Sequence, residues 1–292
     1  MRTPLRSGAA AAAAFSIAFI AHAQPADSGP RVGDSYEIRL HHESVMQSSD
    51  GSSGNSGGGH AYVERVVAVR DDGLELEYDL PPEVSARDRD PIWQFPARVF
   101  RPSSGPIQLL NRSELEARLE RWLTTASIPR TACGTWYFTW NAFQIECDPQ
   151  AVVQTIETLD LQRNELRDGA PYRDPAAREA GRLRETSAGV DGATFVAEMP
   201  LDPQIVRNRR VESDLVVAAV MRTTLTREDA VRARATEEIS GMITVTLEAD
   251  PTGQVRRRVR VTRVETRESS GRTETETQTE TTDRRVISPP RT

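Results

Sequence analysis

The sequence predicts an α+β fold built on an antiparallel β-sheet with two to four helices. Three observations predict it. Apolar and polar residues alternate over long segments at both ends of the chain, the period-two mark of half-buried strands. Helix start signals and apolar stripes at helical spacing are confined to its middle. Ser, Gly and Asp clusters separate the strand segments at hairpin spacing.

The elements follow in order. Tyr36, Ile38 and Leu40 alternate with Glu37, Arg39 and His41 in a first strand. Ser48 to Gly59 consists almost entirely of Ser, Gly, Asn and Asp and reads as a flexible loop. Tyr62 to Arg70 returns as a strand, Asp71-Asp72-Gly73 supplies a turn with a residue suited to positive φ, and Leu74 to Leu80 alternates cleanly. Residues 93–101 and 107–110 form a further hairpin around Pro102-Ser103-Ser104-Gly105. Ser113, with Glu116 three positions on, reads as the capping box of a helix carrying Leu115, Leu119, Trp122 and Leu123, and Pro129 ends it. A second helix starts at Asp148-Pro149 with Val152, Ile156 and Leu159 as its stripe. Residues 169–192 read as a flexible, exposed connection. Asp202-Pro203 starts a third helix, and Thr226 with Asp229 caps a fourth. Residues 239–287 read as three long antiparallel strands, the last of them the polar run TETETQTETT at an edge.

The compartment is legible at the start of the chain. Arg2 and Arg6 precede an apolar stretch from Ala9 to Ala21, and Ala21-His22-Ala23 is a small-x-small cleavage site. Residues 1–23 therefore read as a signal peptide, with the mature chain beginning at Gln24. Thirteen apolar residues are too few to span a bilayer, which needs about 20, and no later segment is longer. The expected organisation is a signal peptide (1–23), a flexible leader (24–31), a single β-rich domain (32–287) and a disordered tail (288–292). The location read from this is the periplasm of a bacterium, with an extracellular one left open. Every one of the 37 basic residues counted as Lys plus Arg is Arg. These are interleaved with acids, and removal of the signal takes the net charge from −6 to −8. That spread excludes the clustered positive charge of a nucleic-acid footprint.

Two cysteines, Cys133 and Cys147, are expected to form a disulfide, the default in an oxidising compartment. The segment between them is rich in aromatic residues. Trp136, Phe138 and Trp140 are the candidate ligand-binding residues, since binding grooves are largely apolar and aromatic; they serve equally well as core fillers. No metal site and no cofactor is predicted. His41 and His42 are adjacent on a strand and so point to opposite faces. A third histidine, His60, with Glu43 or Glu64, lacks the spacing of known zinc motifs. Gly54-Asn55-Ser56-Gly57-Gly58 resembles the nucleophile segment of chymotrypsin-like proteases but lies in a low-complexity stretch without upstream triad partners. The acidic pairs Asp71/Asp72, Asp88/Asp90 and Glu237/Glu238 are of the residue type that glycosidases place across a cleft, and equally of the type that covers a solvated face.

The order of elements, opening on Gly33-Asp34-Ser35-Tyr36, resembles that of the LolA/LolB-type periplasmic lipoprotein carriers. The resemblance implies an α+β, half-barrel-like curved antiparallel β-sheet with its helices packed on one side, and a groove for a lipid or other apolar ligand. The polar last strands depart from such a groove. Three functions follow as expectations: a non-catalytic envelope protein that binds an apolar small molecule, a lipid or another envelope protein; a secreted hydrolase with a carboxylate site; or a structural assembly factor.

Overall fold

A computed structural model describes residues 29–138, 142–162 and 165–287. The stretch read as a signal peptide, most of the expected leader and residues 288–292 lie outside the described residues.

Ten strands form one antiparallel sheet in the order β10-β11-β12-β13-β14-β1-β2-β3-β4-β5. The first three are β1 (Ser35–Ser48), β2 (Ser53–Arg70) and β3 (Gly73–Asp79). After the short α1 (Ala86–Arg89) come β4 (Ala97–Pro102) and β5 (Gln108–Leu109). The middle of the chain holds α2 (Arg112–Thr125), the small hairpin β6 (Trp136–Phe138) and β7 (Ala142–Gln144), and α3 (Ala151–Leu159). A two-stranded ribbon, β8 (Pro171–Tyr172) and β9 (Gly181–Arg182), precedes β10 (Arg184–Gly189) and β11 (Gly192–Pro200). The chain then forms α4 (Pro203–Met221) and α5 (Arg227–Arg234), and ends in β12 (Glu238–Ala249), β13 (Val255–Arg267) and β14 (Thr273–Val286). Among the described residues the fold is α+β with a curved sheet that is not closed into a barrel, and five helices stand where two to four were expected.

Cross-strand partners share a face, so the register shows which face holds the core. Tyr78 opposes Glu64, Glu64 opposes Tyr36, and Leu40, two strand steps from Ile38 on the same side, opposes Thr282. Thr282 opposes Arg258, Arg258 opposes Leu247, and Leu247 opposes Phe195. One continuous face thus carries both hydrophobic clusters. The first joins Ile38, Leu76, Tyr78 and Val99 to Leu115 and Leu119 of α2 and Ile156 of α3. The second joins Phe195, Met199, Ile243 and Leu247 to Leu161, Tyr172 and Leu183, with Ile205 and Val206 of α4 against it.

Four expectations are corrected. The run Ser48–Gly59 is not a loop: its residues from Ser53 onward begin β2, in register with β1, and only the turn at 49–52 is left. Backbone pairing needs no side chain, so a Gly/Ser composition did not prevent the strand. Residues 169–192 are not an exposed connection throughout, because they form β8, β9 and β10 and bury Ala170, Tyr172, Ala176 and Leu183. The polar strand β14 is not an edge; it lies between β13 and β1 in the middle of the sheet. Its inward Glu280 meets Arg260, and Glu274 meets Arg210, so charge pairing takes the place of apolar packing. Finally, α2 is headed by Asn111 rather than Ser113. The Asn111 side chain accepts from Arg98 N–H and donates to Pro96 O, which fastens the helix to β4.

Two smaller points concern turns and caps. Asp202 caps α4 by accepting from Gln204 N–H, and Thr226 caps α5 by accepting from Asp229 N–H, both as expected. Gly73 is absent from the glycines of positive φ. Its need for glycine comes from close approach, since a Cβ there would collide with the Arg101 carbonyl of β4.

Candidate functional site

The hairpin β6–β7 is built outward from its base. Cys133 and Cys147 are joined by a disulfide and pack against the first cluster. Gly134 N–H donates to Ile145 O, Ile145 N–H donates to Thr135 O, and Ile145 is buried. Beyond this anchored base the aromatic side chains turn to solvent. Trp136 and Tyr137 are each 39% exposed and Phe143 is 45% exposed. Tyr137 and Phe143 stack with ring centroids 5.9 Å apart. Helix α4 touches β6, and its last turns expose Val217 and Met221. Of the three expected ligand residues, Trp136 is therefore at the surface, Phe138 ends β6, and Trp140 lies outside the described residues. Tyr137 and Phe143 belong to the same aromatic segment, though not to the three candidates drawn from it.

The bridge closes a loop of about 15 residues, so its loss is expected to lower stability by roughly 3 kcal/mol. Urea midpoints with and without reductant, and of the Cys133→Ala/Cys147→Ala variant, measure this. An unchanged midpoint would show that the bridge does not hold the hairpin.

Between the two clusters the inner face is polar and its carboxylates are matched with guanidiniums. Glu64, 1% exposed, accepts from Arg284 Nη2 at 2.8 Å and from the Tyr78 hydroxyl at 2.6 Å. The Arg284 guanidinium also lies over the Tyr36 ring, 3.2 Å from its centroid. Arg101 donates to Asp160 at 3.0 Å. Arg260 donates to both oxygens of Asp174, at 2.7 and 3.0 Å. Glu237 accepts from Arg234 at 2.6 Å and forms an ion pair, without a hydrogen bond, with Arg210 at 3.3 Å. Burial alone would raise the Asp174 carboxyl, but hydrogen bonds from Arg260 and Ala176 N–H hold it below the usual carboxylate range.

A hydrolase needs a carboxylate with a perturbed affinity for protons and room for substrate. These buried acids are instead neutralised by arginine. The acidic pairs singled out by sequence do not converge. Asp88 is bonded to Ser85, Glu238 is exposed, and Glu237 belongs to the arginine network. His41 is exposed on the outer face, while His42 and His60 are exposed on the inner one, offset by one pair in the register. Glu64 is committed to Tyr78 and Arg284. Among the described residues no group of three His, Cys, Asp or Glu side chains converges on a point where a metal ion would sit. Ser56 lies on exposed β2, opposite Ser44.

Burial, reinforced by the charge of Glu64, pushes the Tyr78 hydroxyl well above the usual tyrosine range; burial likewise raises Tyr62 and Tyr172. The folded state keeps protons that the unfolded chain sheds above about pH 10. Stability is therefore expected to fall as pH rises through that value, by up to about 1.4 kcal/mol per pH unit for each such group. Urea midpoints across the alkaline range test this, and a midpoint that stays level would refute it.

No family model matches the chain, and no curated protein matches it. Solved structures that show weak likeness include the following three. A lipovitellin structure concerned with lipid–protein interactions aligns over 90% of this chain and 26% of its own, at 7% identity and a TM-score of 0.44. The chain thus spans about a quarter of that protein. Ail, the attachment invasion locus protein of Yersinia pestis, aligns over 87% of this chain and 99% of its own, at 4% identity and a TM-score of 0.20. An outer membrane channel from Pseudomonas putida F1 aligns over 90% and 99%, at 8% identity and a TM-score of 0.28. At these values none of the likenesses carries a functional argument, and no residue role is transferred.

Proposed function

We propose that this chain is an exported, non-catalytic binding protein of the bacterial envelope, and that its aromatic hairpin takes an apolar ligand of the lipid class. The observation that carries this reading is the exposure of Trp136, Tyr137 and Phe143 on a hairpin whose base is closed by a disulfide. Large aromatics kept at the surface on both faces of one small hairpin, the Tyr137–Phe143 stack on one and Trp136 on the other, mark a contact site, and rings lose little conformational entropy when they bind. A LolA/LolB-type carrier would line its sheet with apolar side chains. Here the middle of the inner face is filled by arginine–carboxylate pairs, which favours the hairpin as the ligand contact. The disulfide supports export, since such bonds persist in oxidising compartments.

The test is native mass spectrometry of protein purified from a bacterial periplasm without detergent, followed by solvent extraction and lipid analysis. The expected result is a stoichiometric, extractable adduct that the Trp136→Ser/Phe143→Ser variant loses while keeping its circular dichroism. A bare mass for the parent protein overturns the reading. An adduct kept by the variant removes the hairpin from it.

A further inference from the structure

We infer that the free edge of β2 is a self-association site through which two copies of this chain join their sheets. Strand β2 begins at Ser53, but β3 pairs with it only from Val63 onward. Over Ser53–Tyr62 one side is paired with β1 in unbroken register, and the other faces no strand among the described residues.

The direction of each backbone group follows from the two ends of the hairpin. At the base, Val66 N–H donates to Asp34 O and Gly33 N–H donates to Val66 O; at the turn, Ser48 N–H donates to Ser52 O. Bonding alternates along an antiparallel strand. Even-numbered residues of β2 therefore bond β1, and Ser53, Asn55, Gly57, Gly59 and Ala61 turn their N–H and C=O groups to the open side. All of these but Ala61 are exposed.

The sheet's other edges are blunted in the usual ways. At one end β5 is two residues long. At the other, β10 is bulged between Glu185 and Ser187 and carries Arg184 and Glu185. The stretch Ser53–Ala61 has no proline, no acid, no arginine and no bulge, and His60 is its one titratable side chain.

Composition selects the occupant. Edges that capture foreign peptides read them with pockets for alternate side chains. Gly54, Gly57, Gly58 and Gly59 supply none. A second copy needs no such reading, because a two-fold axis pairs the strand symmetrically with itself. Antiparallel self-pairing centred on Gly57 sets His60 against Gly54, Asn55 against Gly59 and Ser53 against Ala61, so no like charges meet and no bulky side chains collide.

Sedimentation velocity of the protein from micromolar to submillimolar concentration tests the inference, with Asn55→Pro and Asn55→Ala beside the parent. Proline removes an outward N–H and leaves the β1 ladder intact. A concentration-dependent dimer is expected in the parent and in Asn55→Ala, and its loss in Asn55→Pro with unchanged circular dichroism. If Asn55→Pro fails to fold, Ser56→Glu replaces it: every N–H is kept, and the two like charges become diagonal neighbours across the axis. A parent that stays monomeric throughout, or one that only binds an added extended peptide, overturns the inference. So does a disruptive variant, proline or glutamate, that dimerises as well as the parent.

Discussion

Replacing Glu64 by alanine is expected to remove about 3–5 kcal/mol of stability, the cost of leaving a buried charge without its partner. Arg284 keeps only 8% of its side chain exposed, and Glu64 keeps 2%. Without the carboxylate, the guanidinium loses its counter-charge and the Tyr78 hydroxyl, also fully buried, loses its acceptor. Water cannot reach either group to compensate. The urea midpoint reads the loss, and a fall corresponding to less than about 1 kcal/mol, the range of a surface pair, would sink the account. The same reasoning predicts an asymmetry. In the double variant Glu64→Leu/Arg284→Met both charges are gone, the volume is nearly kept and only the Tyr78 hydroxyl is left without its acceptor, so most of the stability lost to the unpaired charge returns, because well-packed apolar replacements of a buried pair are often neutral. If the double variant is as unstable as Glu64→Ala, the pair matters for something other than mutual neutralisation.

This network also marks where sequence reading stops. The strands 35–48, 62–79 and 238–286 were legible because their alternation is a local property. The caps at Asp202 and Thr226 were legible for the same reason. Partnership between Glu64 and Arg284, 220 positions apart, has no local signature. It exists because β14 closes against β1, and the run TETETQTETT gives no apolar hint that it belongs inside a sheet. Strand β11 was missed altogether, although Phe195, Ala197 and Met199 form its buried side. The candidate site was half legible. The disulfide and the aromatic segment stand in the sequence, but whether Trp136 faces core or solvent depends on the way the bridged base docks beneath it.

The two clusters raise a question of cooperativity that one further substitution answers. Ile243 is fully buried in the second cluster, and Ile243→Ala is expected to cost about 2–5 kcal/mol, the lost transfer free energy plus the cavity left behind. Among the described tryptophans, Trp93 and Trp122 belong to the first cluster and Trp136 to the hairpin. Tryptophan fluorescence therefore watches the half of the molecule that the substitution does not touch. The sheet runs unbroken from one cluster to the other, and Arg260–Asp174, Arg258–Thr282 and Arg284–Glu64 stitch the polar band between them. These contacts couple the halves, so fluorescence and far-ultraviolet circular dichroism should shift together to the same lower urea midpoint, as a two-state transition requires. Two separated midpoints, with only the dichroism displaced, would show that the polar band is a seam and that each cluster unfolds alone. In that case Glu64→Ala, which sits at the first cluster's margin, would leave the second cluster's transition in place, so the two substitutions together locate the boundary of each folding unit.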